Sequence, residues 1–170
     1  MRPAGLTRVT TAFGLLLLAL VSGCSIQERT DRETAPVEST RRQIIQPEGV
    51  ARLPVFSSAV RSGDLIFLSG QLGALPGVTP PEVIEGGIEA ETRQTFANIV
   101  TVLDAAGATL GDLIKCTVFL ADIDDYAAFN AVYLEYFPND PPARAALAAS
   151  GLALGALVEI DCIAAVPDGS

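Results

Sequence analysis

The sequence predicts an α+β domain in which one mixed sheet of about six strands carries two helices on a single face. Three observations lead there. Hydrophobic residues fill 49% of the 170 positions and only 18% are charged, which suits a filled core rather than disorder. Apolar, β-branched runs are interleaved with two stretches whose apolar residues recur at helical spacing. The strands that can be placed come in the order strand–strand–helix–strand–helix–strand–strand, which fits one sheet with both helices on the same side. The opposite sheet face then needs cover, and self-association is the economical source of it.

Residues 55–60 and 64–72 (DLIFLSGQL) form the first two strands, joined by the Ser62-Gly63 turn. Residues 73–87 are rich in Gly and Pro and read as a surface loop. Ile88, Phe96, Ile99, Val100 and Leu103 give helical spacing over residues 88–106, with Gly107 as terminator. Residues 115–121 (KCTVFLA) are a buried strand. Asp124 or Asp125 caps a second helix running to Tyr136, with Phe129, Val132, Tyr133 and Tyr136 on one face. Residues 143–149 and 157–166 supply the closing strands.

The N-terminus reads as an address. Arg2 and Arg8 precede an apolar run over residues 12–21, too short to span a bilayer, which ends in Val21-Ser22-Gly23-Cys24. That tetrad looks like a bacterial lipobox. Residues 1–23 are therefore expected to be a signal peptide and Cys24 the lipidated first residue of the mature chain. By resemblance to Gram-negative lipoproteins, Ser25 directs the anchor to the outer membrane, facing the periplasm. Residues 24–45 are polar and mixed in charge, a flexible tether between bilayer and a domain spanning residues 46–168. Cys116 and Cys162 lie in apolar strand-like runs. An oxidising compartment permits a disulfide between them, but two separate buried thiols are the favoured expectation.

Composition excludes much chemistry. The formal net charge is −9, so phosphate backbones are repelled and nucleic acid is not an expected partner. Histidine is absent. Serine or cysteine nucleophiles activated by His are thereby ruled out within the chain, as are zinc sites built on His. Acid–base work falls to carboxylates, Tyr, Lys115 or water.

Arg144 stands out because it sits in PPARAALAA, an apolar stretch with no neighbouring acid. Its planar fork suits a carboxylate ligand, or else an acid paired with it across a subunit interface. In the run Val158-Glu159-Ile160-Asp161-Cys162, strand alternation puts Glu159 and Asp161 on one face. Either acid could be the partner of Arg144, or one could hold a hydrolytic water beside a substrate bound by Arg144. Ser69-Gly70, at the end of the second strand, leaves room for a ligand.

The sequence holds Ser69-Gly70-Gln71, Ala105-Ala106-Gly107, Gly111-Asp112-Leu113-Ile114-Lys115, Phe129-Asn130-Ala131-Val132-Tyr133, Pro142-Ala143-Arg144 and Val158-Glu159-Ile160-Asp161, in that order. The ordered set resembles the RidA (YjgF) family of imine/enamine deaminases. The resemblance implies a chorismate-mutase-like fold, a homotrimer with a ligand site at each subunit interface, and cofactor-independent hydrolysis of small 2-imino acids and 2-aminoacrylate enamines to 2-oxo acids and ammonia. On that pattern Arg144 grips the substrate carboxylate and Glu159 orients the attacking water. Ser69 and Gly70 line the pocket, with Phe56 where many members have a Tyr. Ala146 replaces a Cys found in many members, and Asn130 matches a helix residue expected to be structural. A non-catalytic trimeric module binding small carboxylates through Arg144 is the competing expectation. Nuclease activity, sometimes ascribed to the family, fits poorly with the acidic charge.

Overall fold

Alternation of buried and open side chains along the strands gives the sheet two unlike faces, and every helix lies against one of them. The computed structural model describes residues 42–48, 50 and 54–167. The expected signal peptide, Cys24 and all but the end of the expected tether lie outside these residues. The strands are β1 (Gln43–Ile45), β2 (Ala59–Ser62), β3 (Leu65–Leu72), β4 (Leu113–Leu120), β5 (Ala143–Ala148) and β6 (Val158–Ala165); the helices are α1 (Gly87–Ala105) and α2 (Tyr126–Tyr136). The sheet order is β1-β2-β3-β6-β4-β5. All neighbours are antiparallel except β4 and β5, which are parallel because α2 forms the crossover between them.

Val158, Ile160, Cys162 and Ala164 of β6, together with Cys116, Val118 and Leu120 of β4, point to the helix side and are buried. Phe96, Ile99 and Leu103 of α1 and Phe129 and Tyr133 of α2 close over them in one core. Burial of each such large side chain contributes about 1.5–3 kcal/mol, which outweighs the modest helix propensity of the β-branched residues in α1. Gly107, at φ 72°, terminates α1 where a Cβ would be strained. The other face has no covering layer among the described residues. Ile44, Phe67 and Leu147 stand on it 44%, 42% and 44% exposed.

The structure corrects several expectations. Residues 43–45, assigned to the tether, form β1 and pair with β2. The first predicted strand begins four residues late, at Ala59, because Pro54 and Val55 make a turn and leave Val55 81% exposed. Neither Asp124 nor Asp125 caps α2 with its side chain; Asp122 accepts from the Asp124 N–H at 3.0 Å and caps the 3-10 turn that leads into the helix. Cys116 and Cys162 are joined in a disulfide rather than held as separate thiols. They are directly opposed on adjacent antiparallel strands, a register that single-strand patterning cannot reveal.

Candidate functional site

Arg144 lies on β5 opposite Cys116 of β4, so its side chain leaves the sheet on the helix side. There it meets α2. The guanidinium carbon stands 4.4 Å from the ring centre of Tyr133, 5.5 Å from that of Phe129 and 5.7 Å from that of Tyr126. These rings sit at positions i, i+3 and i+7 of the helix, one stripe along its face. Nη2 of Arg144 donates to Oη of Tyr126 at 3.2 Å. Among the described residues the ion pairs join Arg93 to Glu89 and to Glu135, and none involves Arg144. A cation held by ring faces, without a carboxylate, keeps donors for an anion. Asn130, Leu134, Pro141 and Pro142 line an open recess beside it.

The rings are themselves fixed from behind. Tyr133 packs edge-on to Phe96 at 5.8 Å, and Tyr136 stacks on Phe96 at 4.3 Å. Burial raises the Tyr133 phenol above its ordinary pKa, against the opposing pull of Arg144. Its hydroxyl is buried and has no hydrogen-bond partner.

Glu159 belongs to the other face. It opposes Leu72 of β3 and Phe119 of β4, one residue out of phase with the buried positions of β6. The register of β3 with β6 slips between Leu68 and Gln71, so Ser69 and Gly70 together face the single residue Asp161. This β-bulge turns Gly70 beneath the Glu159 carboxylate. A Cβ on Gly70 would collide with Oε1 of Glu159, and that close approach accounts for the glycine. Burial, and then the charge of Asp161, raise the pKa of Glu159. Asp161 accepts from the Thr117 N–H at 3.2 Å and so is partnered within the sheet. The Ser69 hydroxyl donates to the Ser57 carbonyl at 2.7 Å, which brings the segment carrying Phe56, 51% exposed, beside the bulge.

The expected site residues thus fall into two groups. Ser69, Gly70 and Glu159 gather around the bulge on the open face, with Phe56 on the segment that Ser69 ties down, whereas Arg144 stands on the helix face at the sheet edge. Neither Glu159 nor Asp161 pairs with Arg144 within the chain. Two contributors were missed. Tyr126, which meets the fork, lies at the helical spacing of Phe129 and Tyr133 but precedes the stripe of Phe129, Val132, Tyr133 and Tyr136. Glu91, 3% exposed, accepts from the Leu157 and Val158 N–H groups at 2.7 and 3.3 Å and so fixes the start of β6. Burial raises its pKa against those two bonds. Its position on the apolar face of α1 was the available signal.

A family model described as Endoribonuclease L-PSP matches residues 49–166. The 2-iminobutanoate/2-iminopropanoate deaminase of Capra hircus is 40% identical over 124 residues, which span 73% of this chain and 89% of the goat protein. The structure of RidA from Psychrobacter sp. PAMC 21119 superposes with a TM-score of 0.67 at 36% identity, covering 73% of this chain and 99% of that one. Escherichia coli TdcF with bound serine gives 0.66 at 28% identity, over 72% and 98% of the two chains.

Proposed function

We propose, for a chain that belongs to the Endoribonuclease L-PSP (RidA/YjgF) family, that it hydrolyses small 2-imino acids and their 2-aminoacrylate-type enamine tautomers to 2-oxo acids and ammonia. The observation that carries this reading is the guanidinium of Arg144, caged by three rings and unpaired with any acid among the described residues. It is a receptor for a small carboxylate. The goat relative is named for deamination of 2-iminobutanoate and 2-iminopropanoate, and the E. coli structure holds serine, itself a small carboxylate.

In this reading Arg144 takes the substrate carboxylate in a two-pronged hydrogen bond. Glu159, ionised, holds a water and accepts its proton as the water oxygen adds to the imine carbon. The proton then passes to the nitrogen to give a carbinolamine; as the C–N bond breaks the hydroxyl proton is relayed to the departing nitrogen, so ammonia leaves and the 2-oxo acid remains. Ser69 and Gly70 floor the pocket, and Phe56 presents an apolar edge. Arg144 and Glu159 face opposite sides of one sheet, so a working site needs Arg144 of one copy beside Glu159 of another. A homotrimer closed over the open sheet faces meets that need and covers Ile44, Phe67 and Leu147. The lipid anchor on Cys24 would hold the assembly at the outer membrane, on the periplasmic side.

The test is to generate 2-iminobutanoate in situ and follow 2-oxobutanoate and ammonia with and without the purified domain. Faster release with the domain is expected. A rate equal to spontaneous hydrolysis, together with retained 2-oxobutanoate binding, would leave only a carboxylate-binding module. Light scattering is expected to give three chains per particle, and a stable monomer at micromolar concentration would remove the shared site.

A further inference from the structure

The phenol of Tyr126 has a constraint that the proposed reaction has not yet used. Its oxygen accepts from Nη2 of Arg144 at 3.2 Å, and a guanidinium offers donors only. The side chain of Asn130, four residues further along α2, and then the charge and hydrogen bond of Arg144 lower the phenol pKa. Arg144 cannot accept the hydroxyl hydrogen, which is therefore directed away from the guanidinium. Tyr126 is 39% exposed, so this hydrogen meets whatever occupies the space beside the fork.

We propose that Tyr126 is a ligand-binding residue, whose hydroxyl donates to the same anion that Arg144 holds. The inference rests on the reading of Arg144 as a carboxylate receptor and deepens it. The guanidinium supplies two donors and the phenol a third, set by its own bond to Nη2. A carboxylate, with two oxygens and four lone-pair directions, accepts all three. A neutral amide offers one acceptor oxygen and a repelling NH₂. The triad of donors therefore selects for an ionised carboxyl group beyond what Arg144 does alone. The ring of Tyr126 is a separate contribution: it helps cage the guanidinium and would survive loss of the hydroxyl.

Tyr126→Phe separates the two roles, because it keeps the ring and removes only the oxygen. The probe is 2-oxobutanoate, titrated calorimetrically into the assembled protein, with imine turnover measured in parallel. Loss of one charge-assisted donor is expected to weaken 2-oxobutanoate binding about tenfold and raise KM by a similar factor. At saturation kcat should stay within about twofold, since the carbon under attack lies beyond the carboxylate. A displaced Arg144 would instead lower kcat as well, and that result would overturn the donor role in favour of a structural one. Unchanged Kd and KM in Tyr126→Phe would overturn it outright while leaving Arg144 as the receptor. Failure of the wild type itself to bind 2-oxobutanoate would overturn both this inference and the receptor on which it rests.

Discussion

Arg144 and Glu159 are both charged groups set into apolar strands, yet the fold accommodates them by opposite means. At the edge of the sheet, the cation is surrounded: three rings of α2 lie along the guanidinium, and Phe96 of α1 backs Tyr133. At the centre, the carboxylate is given space: a β-bulge places Gly70 under it, where any side chain would collide. Aromatic faces favour a cation and leave its donors free. A glycine floor leaves the carboxylate half-buried with a raised pKa, which suits a base more than a permanent counter-ion. The difference teaches that a lone Arg needs neighbours to stay put, whereas a poised Glu needs an absence.

The sharpest way to test the contrast is at the centre. Glu159→Gln keeps the shape and removes proton acceptance, so kcat is expected to fall about 10²- to 10⁴-fold. Binding of 2-oxobutanoate and assembly should persist. The sign of the pH effect follows from the raised pKa. The base must be ionised, so activity is lost on acidification at a higher pH than an ordinary glutamate would give. Asp161→Asn removes the second cause of that shift and should move the acid limb to lower pH. If Glu159→Gln leaves turnover intact, the carboxylate is not the base.

At the edge, Arg144→Lys keeps the charge but loses the fork. A cost of about 2–4 kcal/mol, roughly 30- to 1000-fold in kcat/KM, is expected from the loss of charged hydrogen bonds. Steady-state kinetics should place much of it in KM, in contrast to Glu159→Gln. A fall confined to kcat would erase the division of labour. The smallest effect concerns Gly70→Ala, which forces a methyl group against the Glu159 carboxylate. Overpacking of this kind costs about 1–3 kcal/mol, read as a lower denaturation midpoint. An unchanged midpoint with full activity would show that the glycine floor is dispensable.

Much of this was legible in sequence, for reasons tied to particular residues. Period-two alternation in VEIDC fixes the face of Glu159 without any knowledge of its neighbours, and the structure agrees. Arg144 is conspicuous because its own segment is apolar. Both helices follow from spacing, with ends within about two residues of expectation, and so does the mixed sheet apart from the late start of β2. What escaped depends on contacts between distant segments. β1 has only three residues and borrows its stability from β2. The Cys116–Cys162 pairing needs the β4–β6 register. Tyr126 acquires a role only once β5 lies beside α2. That Arg144 and Glu159 face apart is decided by the parallel register of β5, which the spacing of the two residues does not encode.

The disulfide divides the site in another way. Its cysteines are 46 residues apart in sequence, and the covalent ring they close contains α2, β5 and the first part of β6. Tyr126, Arg144 and Glu159 all lie inside it, while Phe56, Ser69 and Gly70 lie outside. Even in an unfolded chain the ring's ends stay together, and on the chain-entropy account that restraint favours the folded state by about 4 kcal/mol. The two charged groups therefore travel through folding on one closed loop of polypeptide. The bulge beneath Glu159 must find that loop from a free, open-ended segment.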